Sequence, residues 1–245
     1  MDQLIVCLGD MFRTAGNGII LAVEPEPAEP GLIMETVNYI LRRNELILEL
    51  MLEHLWLVIF TLIVAVTVSV VVGIIISYQD NLAQTVLGIC QILMVIPSMA
   101  MLAFMVPLFG IGFTTGVVAL VLYSLLPIVR NTYTGIRELD PAMVEAAKGM
   151  GMNEWRILTK VKIPLARPVI MAGIRTAAVM MIGIAAIAAY VGAGGMGELI
   201  FSGISRGHQP MIIAGAIGVS IIAIIFDYLL YWGEKRFTVD TKVRD

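Results

Sequence analysis

Residues 55–78 read LWLVIFTLIVAVTVSVVVGIIISY, a run without a charge. A helix needs about 20 apolar residues to cross a hydrocarbon core of roughly 30 Å, so this stretch is long enough to be a membrane-crossing helix. Further runs follow at 83–108, broken by Pro97 and Pro107; at 115–133, with Pro127 inside it; at 168–191; and at 211–232. Their apolarity is continuous, which argues against the alternating strands of a barrel. Within lipid, a helix satisfies its own backbone. The expectation is an all-α membrane protein with five transmembrane helices, its transmembrane domain covering 55–232.

Composition points the same way. Of 245 residues, 59% are hydrophobic and 14% charged, against about 45–50% and about 25% in soluble domains. A formal net charge of −3 gives no overall basic character, and no nucleic-acid partner is expected. Cys7 and Cys90 offer neither a disulfide framework nor a metal cluster; Cys90, inside an apolar run, reads as a small filler. His54 and His208 stand at span edges and suggest no metal site. No Ser/His/Asp, metal-ligand or paired-carboxylate constellation is present, which argues against an enzyme. There is no Gly-x-x-x-x-Gly-Lys-Ser/Thr phosphate loop, so no ATP or other cofactor is expected on this chain.

Lysine and arginine set the expected orientation. The segment 134–167 holds Arg137, Lys148, Arg156, Lys160, Lys162 and Arg167, with Arg130 at its edge, and the tail 233–245 adds Lys235, Arg236, Lys242 and Arg244. The positive-inside rule puts both in the cytoplasm, and five spans then leave the N-terminus outside; Arg42 and Arg43 weigh mildly against this. Residues 35–54 alternate apolar and charged positions as an amphipathic interfacial helix does. Ahead of them, 1–34 form an extension with an acidic, proline-rich linker at 24–30. It has no basic region of the signal-peptide kind, and Met34 is expected to be the true start, because the organised sequence begins there, with the extension then outside the native product.

The segment 134–167 is more than a connection. Asp140-Pro141 is a helix start, with Asp as N-cap and Pro at the first helical position. A short helix over 142–148 is expected to break at Gly149-Met150-Gly151. Asn153 caps a second helix over 154–163, which Pro164 is expected to end.

Within it, Glu145-Ala146-Ala147, three residues, Gly151, nine residues, then Val161-Lys162-Ile163-Pro164 resembles the Glu-Ala-Ala signature of the permease subunits of ABC importers. The resemblance implies a type I importer permease fold in a bacterial plasma membrane, with Glu145, Ala146, Ala147, Gly151, Val161, Ile163 and Pro164 in a coupling loop that docks on an ABC ATPase subunit. ATP and magnesium would then sit on that partner. Ile96-Pro97-Ser98-Met99-Ala100, Pro107-Leu108-Phe109-Gly110-Ile111-Gly112, the stretch 126–133 (LPIVRNTY), Gly149-Met150-Gly151-Met152 and the stretch 191–197 (VGAGGMG) are similar to permeases of osmoprotectant importers, which move glycine betaine, carnitine or choline. The departure is Leu93-Met94-Val95, where that family commonly has a Gln-Thr pair. The resemblance also implies an extracytoplasmic binding protein, expected as a separate chain, and a second permease copy or a paralogous one. Import of methionine, another amino acid or an oxyanion is the alternative, as is a stand-alone channel or secondary transporter.

Pro97, Pro107, Gly110, Gly112 and Pro127 are candidates for bending the spans near a pathway; ordinary helix packing explains them equally. The segment 192–207 is a candidate contact for the binding protein. Arg175 and Asp227 lie inside spans four and five. Snorkelling of each to the interface is the simpler expectation, and an ion pair between them the alternative. Tyr123, Tyr190 and Phe104 have rings able to face a quaternary ammonium, although lipid or helix packing accounts for each.

Overall fold

A computed structural model describes residues 30–237; the linker before Pro30, most of the N-terminal extension and the tail beyond 237 lie outside the described residues. Every regular element within them is helical. Helix α1 (Pro30–Arg42) begins on a proline, so Met34 lies inside it and not at its start. Arg43 interrupts the helix, and α2 (Asn44–Ile76) then runs without a break. The amphipathic segment expected over 35–54 is thus divided between two elements. The reason is visible in α2: Ile47, Leu50, His54, Leu57, Thr61, Ala65, Ser69, Gly73 and Ile76 are all buried. They recur at helical spacing along one continuous face, so nothing sets 44–54 apart from the span.

Helix α5 (Phe113–Arg137) is the centre of the bundle, packed between α2 and α8 (Ile163–Ala188). Without water to drive helices together, close approach at small residues holds a membrane bundle. A Cβ on Gly116 would come within 3.9 Å of Leu57, and one on Gly73 would meet Thr132 at 2.6 Å. Both pairs are the same distance apart in sequence, so α2 and α5 run parallel. On the other side, Gly135 packs on Ala166 and Gly173 on Asn131: the numbers run in opposite senses, and α8 is antiparallel to α5.

Parallel α2 and α5 require the chain between them to cross back. It does so as α3 (Asp80–Val95) and α4 (Ser98–Phe109), bent by 102° at their junction. The expected single span over 83–108 is therefore two helices. Pro97 has no N–H to continue α3, and it forces Ile96 out of the helical region, to ψ 129°. The Tyr123 hydroxyl donates to the Ile96 carbonyl, so this tyrosine stabilises the break and is buried. Pro107 and Pro127 do not break their helices. Pro127 is buried in α5 against Gly173 of α8, and neighbouring helices hold such a proline in line.

Helix α6 (Pro141–Gly149) and α7 (Glu154–Ile157) follow α5. Here Pro164 does not end the second helix. Residues 158–162 form a π-helical turn in which Ile163 N–H reaches Leu158 O, and this wider turn carries the chain past the proline into α8 without a stop. Segment 154–191 is thus one apolar helix long enough to span, as are α2, α5 and α10 (Gln209–Phe237); the bent α3–α4 pair makes a fifth passage. The glycine-rich segment before α10 contains a short helix, α9 (Gly197–Arg206). Its start packs tightly, for a Cβ on Gly197 would fall 1.9 Å from the Ala186 carbonyl oxygen.

Candidate coupling surface

One end of the bundle, here the loop end, gathers α6, α7 and the last turn of α5. Asp140 caps α6, its Oδ1 accepting from Ala142 N–H at 2.9 Å, and Asn153 caps α7 by accepting from Arg156 N–H at 2.9 Å. Between them the chain closes a Schellman corner: Met152 N–H donates to Ala147 O at 3.1 Å and Gly151 N–H to Lys148 O at 2.9 Å. This motif puts its C′ residue in the left-handed region, and Gly151 has φ +77°. The spacing from Glu145 to Gly151 therefore has a physical cause: the glycine must stand where the helix closes. An ion pair from Lys148 to Glu154, 3.4 Å, spans the corner.

The signature residues divide by burial. Ala147 is buried, while Glu145, Ala146 and Gly151 face outward; Val161, Ile163 and Pro164 are half-buried where the π turn meets α8. Met143, Met150 and Trp155 add exposed apolar area, Met150 and Trp155 at 71% and 70%. Large apolar side chains on an otherwise charged corner make it a candidate contact surface, and nothing in the Glu-Ala-Ala spacing points to Trp155. The loop end is tied to the bundle by an Arg137–Asp80 ion pair of 2.7 Å and by Lys162 over the Tyr78 ring at 4.6 Å. Beyond the end of α2, burial first and then the Glu154 carboxylate push the Tyr78 phenol above its ordinary pKa. Glu145, Lys148 and Lys162 line a cavity of about 390 Å³ here.

The opposite end is built on glycines. Gly192, Gly194 and Gly195 have φ +77°, +83° and +87°. Gly195 N–H donates to Glu53 Oε2 at 3.2 Å, and the His54 Nε2–H donates to Ile182 O at 3.2 Å; His54 is fully buried. Burial, and then the charge of Glu53, raise the carboxyl pKa of Glu198 at the start of α9. Of the pathway candidates, Gly112 is tied to this end by its N–H to Val191 O, 2.8 Å, and Gly110 has φ +78° at the same corner. An apolar cavity of about 350 Å³ opens beside them, lined by Met99, Leu102, Val106, Ile111 and Tyr190 among others. Pro97, Pro107 and Pro127 are not among its lining residues. Tyr190 is exposed and contacts Phe201 with ring centroids 5.4 Å apart, and Phe104 points outward.

Arg175 and Asp227 meet. Arg175 Nε donates to Asp227 Oδ1 at 2.5 Å and Nη2 to Oδ2 at 2.8 Å, with Glu234 3.7 Å from Nη1 and the Tyr231 ring 5.0 Å away.

Residues 65–239 match the family model described as "Binding-protein-dependent transport system inner membrane component". The chain is 46% identical to the osmoprotectant import permease protein OsmW of Salmonella typhimurium, over 81% of this chain and 94% of that one. It is 42% identical to the choline transport system permease protein OpuBB of Bacillus subtilis, over 76% and 86%. Among solved structures, an inward-facing MetNI methionine ABC transporter matches with TM-score 0.72 at 20% identity, covering 81% of this chain and 99% of that one. An amino acid ABC transporter crystallised with histidines matches with TM-score 0.59 at 24%, covering 83% and 97%. A membrane bundle of this topology, carrying a capped two-helix loop and matched along most of its length, belongs to the family of binding-protein-dependent transport system inner membrane components.

Proposed function

We propose that this chain forms one side of the translocation pathway of an ATP-driven importer for a quaternary-amine osmoprotectant, of the glycine betaine, carnitine or choline class. The observation that carries the transport reading is the Schellman corner at Gly151 between α6 and α7. It presents Glu145, Ala146, Met150 and Trp155 outward, as a docking site for a separate ATPase requires. The cargo class rests on relatives named for osmoprotectant and choline transport.

In this reading the loop end is cytoplasmic, supported by its lysines and arginines. The opposite end, with Gly192–Gly195 and α9, then faces the binding protein, and the N-terminus lies outside. ATP and magnesium belong to the ATPase pair, and a second copy or a paralogous permease completes the pathway. Because α7, the π turn and α8 are continuous, a displacement of the docked loop is passed to α8 as a rigid body, the kind of two-state motion that alternates access. The broken α3–α4 passage and the Gly110–Gly112 corner, which borders the tip of α8, are the elements best placed to open and close.

Uptake of radiolabelled betaine, carnitine and choline into proteoliposomes holding the complete transporter tests the cargo. ATP-dependent accumulation of at least one, requiring the binding protein, is the expected result; accumulation of methionine and of none of the three overturns it.

A further inference from the structure

The Arg175–Asp227 pair has an unusual setting. Arg175 lies two helical turns beyond Arg167, about 12 Å along α8 at ~1.5 Å per residue, on helices apolar enough to cross a membrane. Charges on a spanning segment are costly and normally turned into the protein. Here the side chains of both partners remain about one-third exposed, 32% for Arg175 and 38% for Asp227. Bare hydrocarbon is a poor neighbour for both poles of that pair.

Beside the pair is a groove of about 510 Å³ between α8 and α10. Its walls change character along its length. Val179, Ala223 and Ile224 line one part; Arg175, Asp227, Tyr228 and Tyr231 line the other. That is the outline of an amphiphile, an acyl chain on the apolar part and a headgroup at the polar part. Tyr228, Tyr231 and Trp232 are exposed on α10, and aromatic side chains of this kind sit at headgroup level.

The charges select the headgroup. Arg175 spends Nε and one Nη2 hydrogen on Asp227 and turns Nη1 toward Glu234 at 3.7 Å; a guanidinium carries five N–H donors, so the second Nη2 hydrogen and one on Nη1 remain for a phosphate oxygen. Each Asp227 oxygen accepts one bond from Arg175 and can accept another, which an ammonium N–H can supply. A singly anionic headgroup would meet Arg175 but be repelled by Asp227. A headgroup carrying both signs complements both poles. We propose that this groove holds a zwitterionic phospholipid with a primary ammonium, from the leaflet at the loop end, with its phosphate on Arg175 and its ammonium on Asp227.

Native mass spectrometry of the complete transporter complex, incubated with equal amounts of phosphatidylethanolamine, phosphatidylcholine and phosphatidylglycerol, tests this. A charge-assisted hydrogen bond favours retention by roughly tenfold, so phosphatidylethanolamine is expected to be retained about tenfold over each of the others. Ile224→Trp fills the groove while leaving both charged side chains in the sequence and is expected to abolish that retention; Asp227→Asn is expected to erase the preference while leaving weaker binding. Equal retention of the three lipids, retention undiminished in Ile224→Trp, or no retained lipid overturns the proposal. So does disulfide formation between Ile224→Cys residues of two copies, which would mean that a second permease covers the groove. Each readout is independent of which cargo is transported.

Discussion

Met152 donates its amide to the Ala147 carbonyl across 3.1 Å, and this bond fixes the angle between the two helices of the loop. The residue that permits it is Gly151, where a Cβ would meet no atom within 4 Å. Space is therefore no obstacle to a side chain there; the φ of +77° is. Gly151→Ala should weaken the corner by about 1–2 kcal/mol, the penalty for a left-handed L-residue. Hydrogen exchange at the Met152 amide should then quicken by roughly tenfold, with the melting temperature of the bundle unchanged. Exchange at the wild-type rate would show that the corner is not held by this motif.

Trp155 and Met150 are the exposed apolar anchors of the same corner. An aromatic anchor at the centre of an interface commonly contributes about 2 kcal/mol or more, so Trp155→Ala should reduce ATPase affinity on the order of thirtyfold. Since the indole is largely exposed in the free chain, thermal stability of the isolated permease should shift by no more than about 0.5 kcal/mol. Titration of purified ATPase against the permease in nanodiscs measures the first quantity, and a thermal-shift assay of the permease alone measures the second.

Two glycines should respond oppositely to alanine. At Gly197 the new Cβ would sit 1.9 Å from Ala186 O and 2.7 Å from Ala189 Cβ, an overlap that must move backbone. Overpacking of this kind costs about 1–3 kcal/mol or more, and Gly197→Ala should lower the melting temperature by several degrees. At Gly183 a Cβ meets nothing within 4 Å, so Gly183→Ala should leave the melting temperature unchanged or raise it slightly. A thermal-shift assay in detergent compares the two directly.

Glu198 supplies a pH dependence. Burial and then the Glu53 carboxylate raise its pKa above the ordinary value, so the folded chain holds this proton more tightly than the unfolded one. That preference stabilises the fold below the unfolded pKa and is lost as pH rises through the folded pKa. Glu198→Gln should therefore raise the melting temperature at pH 7.5 and have no stabilising effect at pH 4. A gain that is equal at both pH values would remove the electrostatic explanation.

Much of the architecture was legible because the membrane leaves few choices. The charge-free run at 55–78 and the capped starts at Asp140 and Asn153 each have one structural meaning, and both caps form at 2.9 Å. Proline was the ambiguous letter. Pro97 breaks a passage, Pro127 is held straight by Gly173 of α8, and Pro164 is stepped over by a π turn; the difference lies in what packs beside each one. The boundary between α1 and α2 was hidden for a similar reason, because Ile47, Leu50 and His54 are buried by helices far away in sequence. The candidate coupling surface was half visible. Glu145, Gly151 and Pro164 follow from spacing, whereas Trp155 emerges only once its exposure is seen, and Tyr123 acts through the Ile96 carbonyl, a relation that periodicity does not encode.

The account makes the loop between α5 and α8 the point at which ATP hydrolysis on a partner drives passage through this chain. Cargo uptake by proteoliposomes containing the whole transporter with Glu145→Lys measures that claim most directly. Glu145 is exposed and lies beside Lys148 and Lys162 in the loop-end cavity, so the reversed charge should leave the bundle folded and bring ATP-dependent uptake to background. Uptake at the wild-type rate in this variant, or flux through the wild-type permease with no ATPase present, would contradict it.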